Sequence, residues 1–149
     1  MIKEIYLGIS GALADVDSDA GPIQHFDLWN QNVLFAAEDV FPTPAVFIEF
    51  DAINYKPIKE DKQLCTPTIR LHIVTDAVCK SNIGSATIND ALAYLDLIDK
   101  IHAKLAKLEG GVFGNFFRVS SIPNHDHGEL LESVEVYTCS AADLSAVTE

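Results

Sequence analysis

The chain predicts an α+β fold in a single domain. The expectation is a mixed or antiparallel sheet of at least four strands with helices packed on one face, in the order α-β-β-α-β-β. Three observations predict it. Segments 2–14 and 86–108 place apolar residues at the helical period, and segments 44–55 and 66–76 alternate apolar with polar residues. Two further apolar segments, 113–122 and 130–139, flank a loop rich in turn residues. No solenoid-scale repeat and no low-complexity linker divides the 149 residues, so residues 1–149 are expected to bury one core without help from disulfides or metal.

In the first segment Ile2, Ile5, Tyr6, Ile9 and Leu13 define an amphipathic helix, weakened slightly by Gly8 and Gly11. It is expected to stop at DVDSDAGP, where acids, Gly21 and Pro22 break the pattern. Gln24 to Phe41 is aromatic-rich with no clean period, and a long ordered loop with a short turn of helix is expected there. PAVFIEFDAINY then places Val46, Ile48 and Phe50 on one strand face, with Phe47, Glu49 and Asp51 on the other. TPTIRLHIVTD repeats the arrangement, with Ile69, Leu71 and Ile73 inside and Arg70 and His72 outside. Pro44 and Pro67 fall at the starts of these strands, where a missing N–H is tolerated.

The second helix carries a stripe of Ala91, Leu95, Ile98, His102 and Leu105. Lys100, Lys104 and Lys107 point away from it, and Asp96 precedes Lys100 by four residues, a favourable order for an exposed pair. The glycines of EGG, 109–111, end the helix. An adjoining arc of Tyr94, Leu97, Ile101 and Leu108 makes the apolar surface wider than one sheet face covers, and Trp29, Phe35 and Phe41 also need cover. Burial against another subunit is the expected solution.

The formal net charge of −12 opposes both a nucleic-acid footprint and binding to an anionic membrane surface, since each needs a basic patch. Cys65, Cys79 and Cys139 lack CxxC or zinc spacing, and their odd number suits a reducing compartment. With no signal-peptide pattern and no long apolar run, the protein is expected in the cytoplasm where it is made, with no membrane span.

Two clusters invite a metal-site reading. His125, Asp126, His127 and Glu129 crowd the loop PNHDHGE, and His125, His127 and Glu129 could supply three ligands. A structural zinc site needs a fourth ligand that no second Cys/His cluster offers. Proline, asparagine, aspartate and Gly128 read instead as an exposed hairpin tip. Asp15, Asp17 and Asp19 match positions one, three and five of a calcium loop, but Ala20 replaces its glycine and Phe26 its bidentate glutamate. A solvated acidic loop is expected. His72 should meet solvent or a partner, and His102 should be a satisfied core-edge residue with no nucleophile beside it. GxSxG, P-loop and GxGxxG motifs do not occur, so no enzyme, catalytic residue, cofactor or metal is expected.

Several strings in their order carry a resemblance: HFDLWNQNV after the first helix, FPTPAVFIEF leading a strand, then RLHIVTD, ALAYLDLIDKIHAKL, and a final hairpin tip HDHGEL. Together they resemble the small tail-completion, or tail-terminator, proteins of long-tailed phages and prophages over most of the chain. The resemblance implies a non-enzymatic virion structural protein forming a homo-oligomeric ring, usually a hexamer. The ring caps the tail tube and joins it to the head–neck connector, so the implied partners are the chain itself, the tube protein and the connector protein. It implies assembly in the bacterial host cytoplasm and residence in the virion tail. It also makes the tip 124–129 an interaction loop, and the acidic balance suits a ring whose wall must not hold DNA phosphates. The alternatives are another neck or minor tail component of the same fold, or a calcium- or zinc-binding protein built on Asp15–Asp19 or His125/His127.

Overall fold

The computed structural model describes residues 1–31, 41–76, 82–125 and 129–147. It contains α1 (Ile2–Leu13), β1 (His25–Leu28), β2 (Ala45–Lys59), β3 (Lys62–Asp76), α2 (Ile88–Leu105), β4 (Phe113–Asn124) and β5 (Leu130–Asp143). The strands form one mixed sheet in the order β1-β2-β3-β5-β4, with β1 parallel to β2 and the remaining neighbours antiparallel. The fold is α+β, with the expected succession of elements and one added strand.

That added strand corrects the loop expected from Gln24 to Phe41. His25–Leu28 pairs with Ala45–Ile48, and the Gln24 N–H donates to the Pro44 carbonyl at 2.8 Å. Four residues are too few to display a period. Their conformation is set by the ladder to β2, a non-local cause that local sequence does not carry. The expected turn of helix and Phe35 lie outside the described residues.

Ile5, Ile9 and Leu13 recur every four residues and form the fully buried stripe of α1. They meet Val46 and Ile48 of β2, Ile69, Leu71 and Ile73 of β3, and Tyr137 and Cys139 of β5 in one cluster under both helices. Gly8 also has a packing role, because a Cβ there would lie 2.5 Å from Cζ of Phe113. Nothing lies within 4 Å of a Cβ built at Gly11.

α2 is rotated from the expected stripe. Leu97, Ile98, Ile101 and Leu105 are its buried aliphatic residues, whereas Leu95 is 45% exposed. Leu97 and Ile101, assigned to a second arc for a partner, therefore belong to the monomer's own core. Two adjacent apolar stripes satisfy the same helical period, and only the sheet beneath decides which faces inward. Asp96 accepts the Asp19 N–H at 2.9 Å, which ties the loop after α1 to α2.

β2 and β3 extend beyond the expected ends into a hairpin of two 15-residue strands closed by the two-residue turn Glu60–Asp61. Pro67 is thus inside β3 and not at its start. It sits opposite Ile53, beside a register shift in the β2 ladder and a gap in the β5 ladder between Cys65 and Thr68, where its missing N–H breaks no regular bond.

Candidate functional site

The sheet face turned away from the helices holds the densest cluster of polar and aromatic side chains. Leu71 and Ile73 point toward the helices, so alternation sends His72 to the other face. It was expected to meet solvent or a partner there, but it is buried. Its Nδ1 lies 2.8 Å from Glu132 Oε1 of β5, and its Nε2 lies 2.9 Å from Glu49 Oε2 of β2. The Trp29 indole lies parallel over the imidazole, with centroids 3.7 Å apart and an interplanar angle of 2°. The register explains the convergence. His72 is opposite Phe47 on one side and Val134 on the other, and both carboxylates reach it diagonally on the same face.

A neutral imidazole carries one N–H, whereas two carboxylate oxygens here face two ring nitrogens. Each ring nitrogen thus has a carboxylate oxygen within hydrogen-bond distance, and the ring lies beneath the indole face. Asn124 Nδ2 donates to the second oxygen of Glu132 at 2.7 Å, tying β4 into the cluster. Among the described residues no buried side-chain nitrogen or oxygen lacks a partner. With both nitrogens engaged, His72 presents no free nitrogen to a substrate, and the cluster acts as a clamp joining β2, β3 and β5.

Around the clamp lies a small apolar group. Ala45, Phe47 and Val74 are fully buried, and Trp29, Phe41 and Leu130 pack on them. Phe47 makes edge contacts with Trp29 and Phe41. The aromatic residues expected to need a partner subunit thus obtain cover within the chain at Trp29 and Phe41. Toward solvent, Arg70 closes the strip with a two-nitrogen contact to Asp51 Oδ2, at 2.7 Å through Nη2 and 3.0 Å through Nε. This hydrogen bond holds the Asp51 carboxyl below its ordinary range.

On the helix-facing side, Glu135 is buried with Ser121 Oγ at 2.6 Å and Ser133 Oγ at 2.8 Å. Tyr137, two residues on, has its phenol pushed upward, first by burial and then by the Glu135 charge. The Tyr137 hydroxyl lies 3.4 Å from Nδ1 of His102, which is half-buried at the edge of the core, as its position in the helix stripe indicated. Cys65 and Cys139 are buried free thiols, and burial followed by the neighbouring Cys65 pushes the Cys139 thiol up to about 11. Cys79 lies outside the described residues.

His125 and Glu129 are exposed, while Asp126, His127 and Gly128 lie outside the described residues. In the acidic loop, Asp15 pairs with Lys104 Nζ at 3.0 Å, and Asp17 and Asp19 are exposed. Among the described residues no group of three or more His, Cys, Asp or Glu is arranged to hold a metal ion. Nor is any described helix long and apolar enough to cross a membrane.

Two groups of large apolar side chains in solvent lie on strands, one on the edge strand β4 and one on the part of the β2–β3 hairpin that extends past β1. On β4, Phe117 is 65% exposed, with Val119 and Ile122 also exposed. On the distal half of the β2–β3 hairpin, Tyr55, Ile58 and Leu64 are exposed. Sequence reading missed both groups because each side chain falls in a strand of otherwise normal composition. It also passed over Glu49 and Glu132 as partners of His72, although strand alternation already placed Glu49 and His72 on one type of face. A scan against protein-family models finds no match for the chain, and a search of curated proteins finds no significant one.

Proposed function

We propose that the chain is a non-enzymatic virion structural protein of the tail-completion kind. Copies assemble into a ring that caps a phage tail tube and joins it to the head–neck connector. The observation that carries this reading is the apolar surface of the edge strand β4 and of the β2–β3 hairpin. Phe117, Val119 and Ile122 on β4, and Tyr55, Ile58 and Leu64 on the β2–β3 hairpin, stand in solvent where burial against neighbouring subunits would stabilise them. The resemblance of the ordered strings from HFDLWNQNV to HDHGEL supplies the biological setting. The histidine clamp is consistent with it, because its nitrogens serve the sheet and not a substrate.

Each subunit carries a formal charge of −12, so copies repel one another until salt screens them. Rings are expected to accumulate with protein concentration and with moderate salt, and to form on the exposed end of a tail tube. Sedimentation at several concentrations and two salt levels, with negative-stain imaging, tests this. A strictly monomeric species under all conditions, together with no binding to tubes, overturns the reading.

A further inference from the structure

Three of the chain's ten lysines and arginines fall within seven residues at the end of the β2–β3 hairpin: Lys56, Lys59 and Lys62. Glu60 and Asp61 lie between them and Asp143 of β5 lies opposite Gln63, so the three lysines offset the acids at the hairpin end of an otherwise strongly acidic protein. Ile58, 52% exposed, and Leu64, 50% exposed, stand among these lysines, and Leu64 lies directly opposite Lys56 in the ladder. The hairpin end therefore offers apolar contact flanked by positive charge.

The outer face of α2 offers the complement. Leu92 and Leu95 are exposed one turn apart, and Asp96 and Asp99 follow on the same side of the helix. The Asp19–Asp96 hydrogen bond lays the loop after α1 alongside, adding the exposed Asp17 and Asp19. Of the basic residues nearby, Lys104 is committed to Asp15, and Lys100 stands at the C-terminal margin of the face.

The two surfaces cannot meet within one copy. The chain leaves α2 at Leu105 and enters β4 at Phe113, which pairs with Ala141 of β5, itself opposite Cys65 near the hairpin end. The C-terminal end of α2 thus lies at the hairpin's end of the sheet. Leu92 lies at the other end of the helix, roughly 20 Å away along its axis.

We propose that the β2–β3 hairpin end of one copy docks on the outer face of α2 of the next, with Ile58 and Leu64 against Leu92 and Leu95 and the lysines against Asp17, Asp96 and Asp99. Two different surfaces meet, so the contact is head-to-tail, the kind that closes into a ring when the rotation permits. Repulsion between whole subunits acts over distances that salt screens, whereas the docked charges are partly desolvated and are screened less. The inference rests on the ring reading above and names the contact that would build it.

Two reversals test it: Lys56→Glu/Lys59→Glu/Lys62→Glu on the hairpin, and Asp17→Lys/Asp99→Lys on the acceptor. Each alone is expected to raise the protein concentration at half-assembly by about tenfold or more. An equal mixture of the two is expected to assemble again, because each reversed surface then finds its complement and the ring alternates the two variants. Ile58→Ser/Leu64→Ser is expected to weaken assembly with the charges intact, and thermal melts establish that every variant is folded. Wild-type rings alongside unaffected variants, or a mixture no better than its components, overturn the docking contact and leave the ring reading standing. Absence of wild-type assembly at any concentration, in solution and on tubes, removes both.

Discussion

Replacing His72 with alanine is expected to be among the most destabilising single changes in the sheet. The substitution leaves the Glu132 side chain, 2% exposed, facing an empty space in place of the imidazole, while Asn124 Nδ2 still donates to its other oxygen. It also removes the surface on which Trp29 stacks. Breaking a buried ion pair from one side costs about 3–5 kcal/mol, which lowers the midpoint of a domain this size by roughly 10 °C. The apolar flanks, Phe47, Val134 and Val74, supply the control. His72→Leu combined with Glu132→Leu places aliphatic groups where the pair was and should recover most of the loss, since burying neither charge avoids the desolvation cost. Urea and thermal unfolding followed through the fluorescence of Trp29, the only tryptophan, measure both stability and the stack. A midpoint within about 3 °C of wild type for His72→Ala would refute the clamp. Equal losses in the single and double variants would refute the assignment of the cost to the broken His72–Glu132 pair.

The two glycines of α1 should respond in opposite directions. Gly8→Ala drives a methyl group into the Phe113 ring, and overpacking of about 1–3 kcal/mol should outweigh the gain in helix propensity, whereas Gly11→Ala meets nothing within 4 Å and should stabilise by about 0.5–1 kcal/mol. Chemical denaturation of the two variants side by side checks the sign. Alkaline pH should weaken the fold through Cys139, whose thiol lies above its ordinary value of 9.0 when folded. A raised folded value gives stability that is complete below 9.0 and is lost as pH rises toward about 11, so the midpoint should fall across that window and fall less in Cys139→Ala. An identical decline in both proteins would show that other groups govern it.

The parts of this fold legible in the sequence are those whose period is long enough to display itself. Ile5, Ile9 and Leu13 recur at the helical spacing, and Ile69, Leu71 and Ile73 alternate cleanly, so α1 and the central part of β3 could be placed with their inward faces correct. β1 was illegible because four residues carry no period and their conformation depends on β2. The rotation of α2 was illegible because Leu95 and Leu97 are equally apolar, and the choice between them belongs to the sheet. His72 shows the deepest limit. Alternation correctly gave its face, but that face acquires its cover from Trp29 and its counter-charges from Glu49 and Glu132, which are distant in sequence. The exposed edge-strand residues were passed over for a related reason: a Phe or Ile in a strand reads the same whether its face is covered or open.

The strand order also bears on how the chain finds its fold. β2–β3 and β4–β5 are hairpins between sequence neighbours, and such units form within about 1–10 μs. The seam between β3 and β5 is different, because Asp76 must find Leu130 and Gln63 must find Asp143 across the whole of α2 and β4. Closing that loop costs chain entropy before any contact repays it, which makes joining the two hairpins the slow, committing event. Strands can join in a slipped register, and a slip of one residue would turn Glu132 toward the helices and bring Ser133 to the face of His72. The imidazole would then lose its contact with Glu132, while Glu135, Tyr137 and Cys139 would all be turned away from the helix-facing side. The His72–Glu132 pair thus acts as a check on alignment, penalising the nearest wrong pairing as the two halves of the sheet come together.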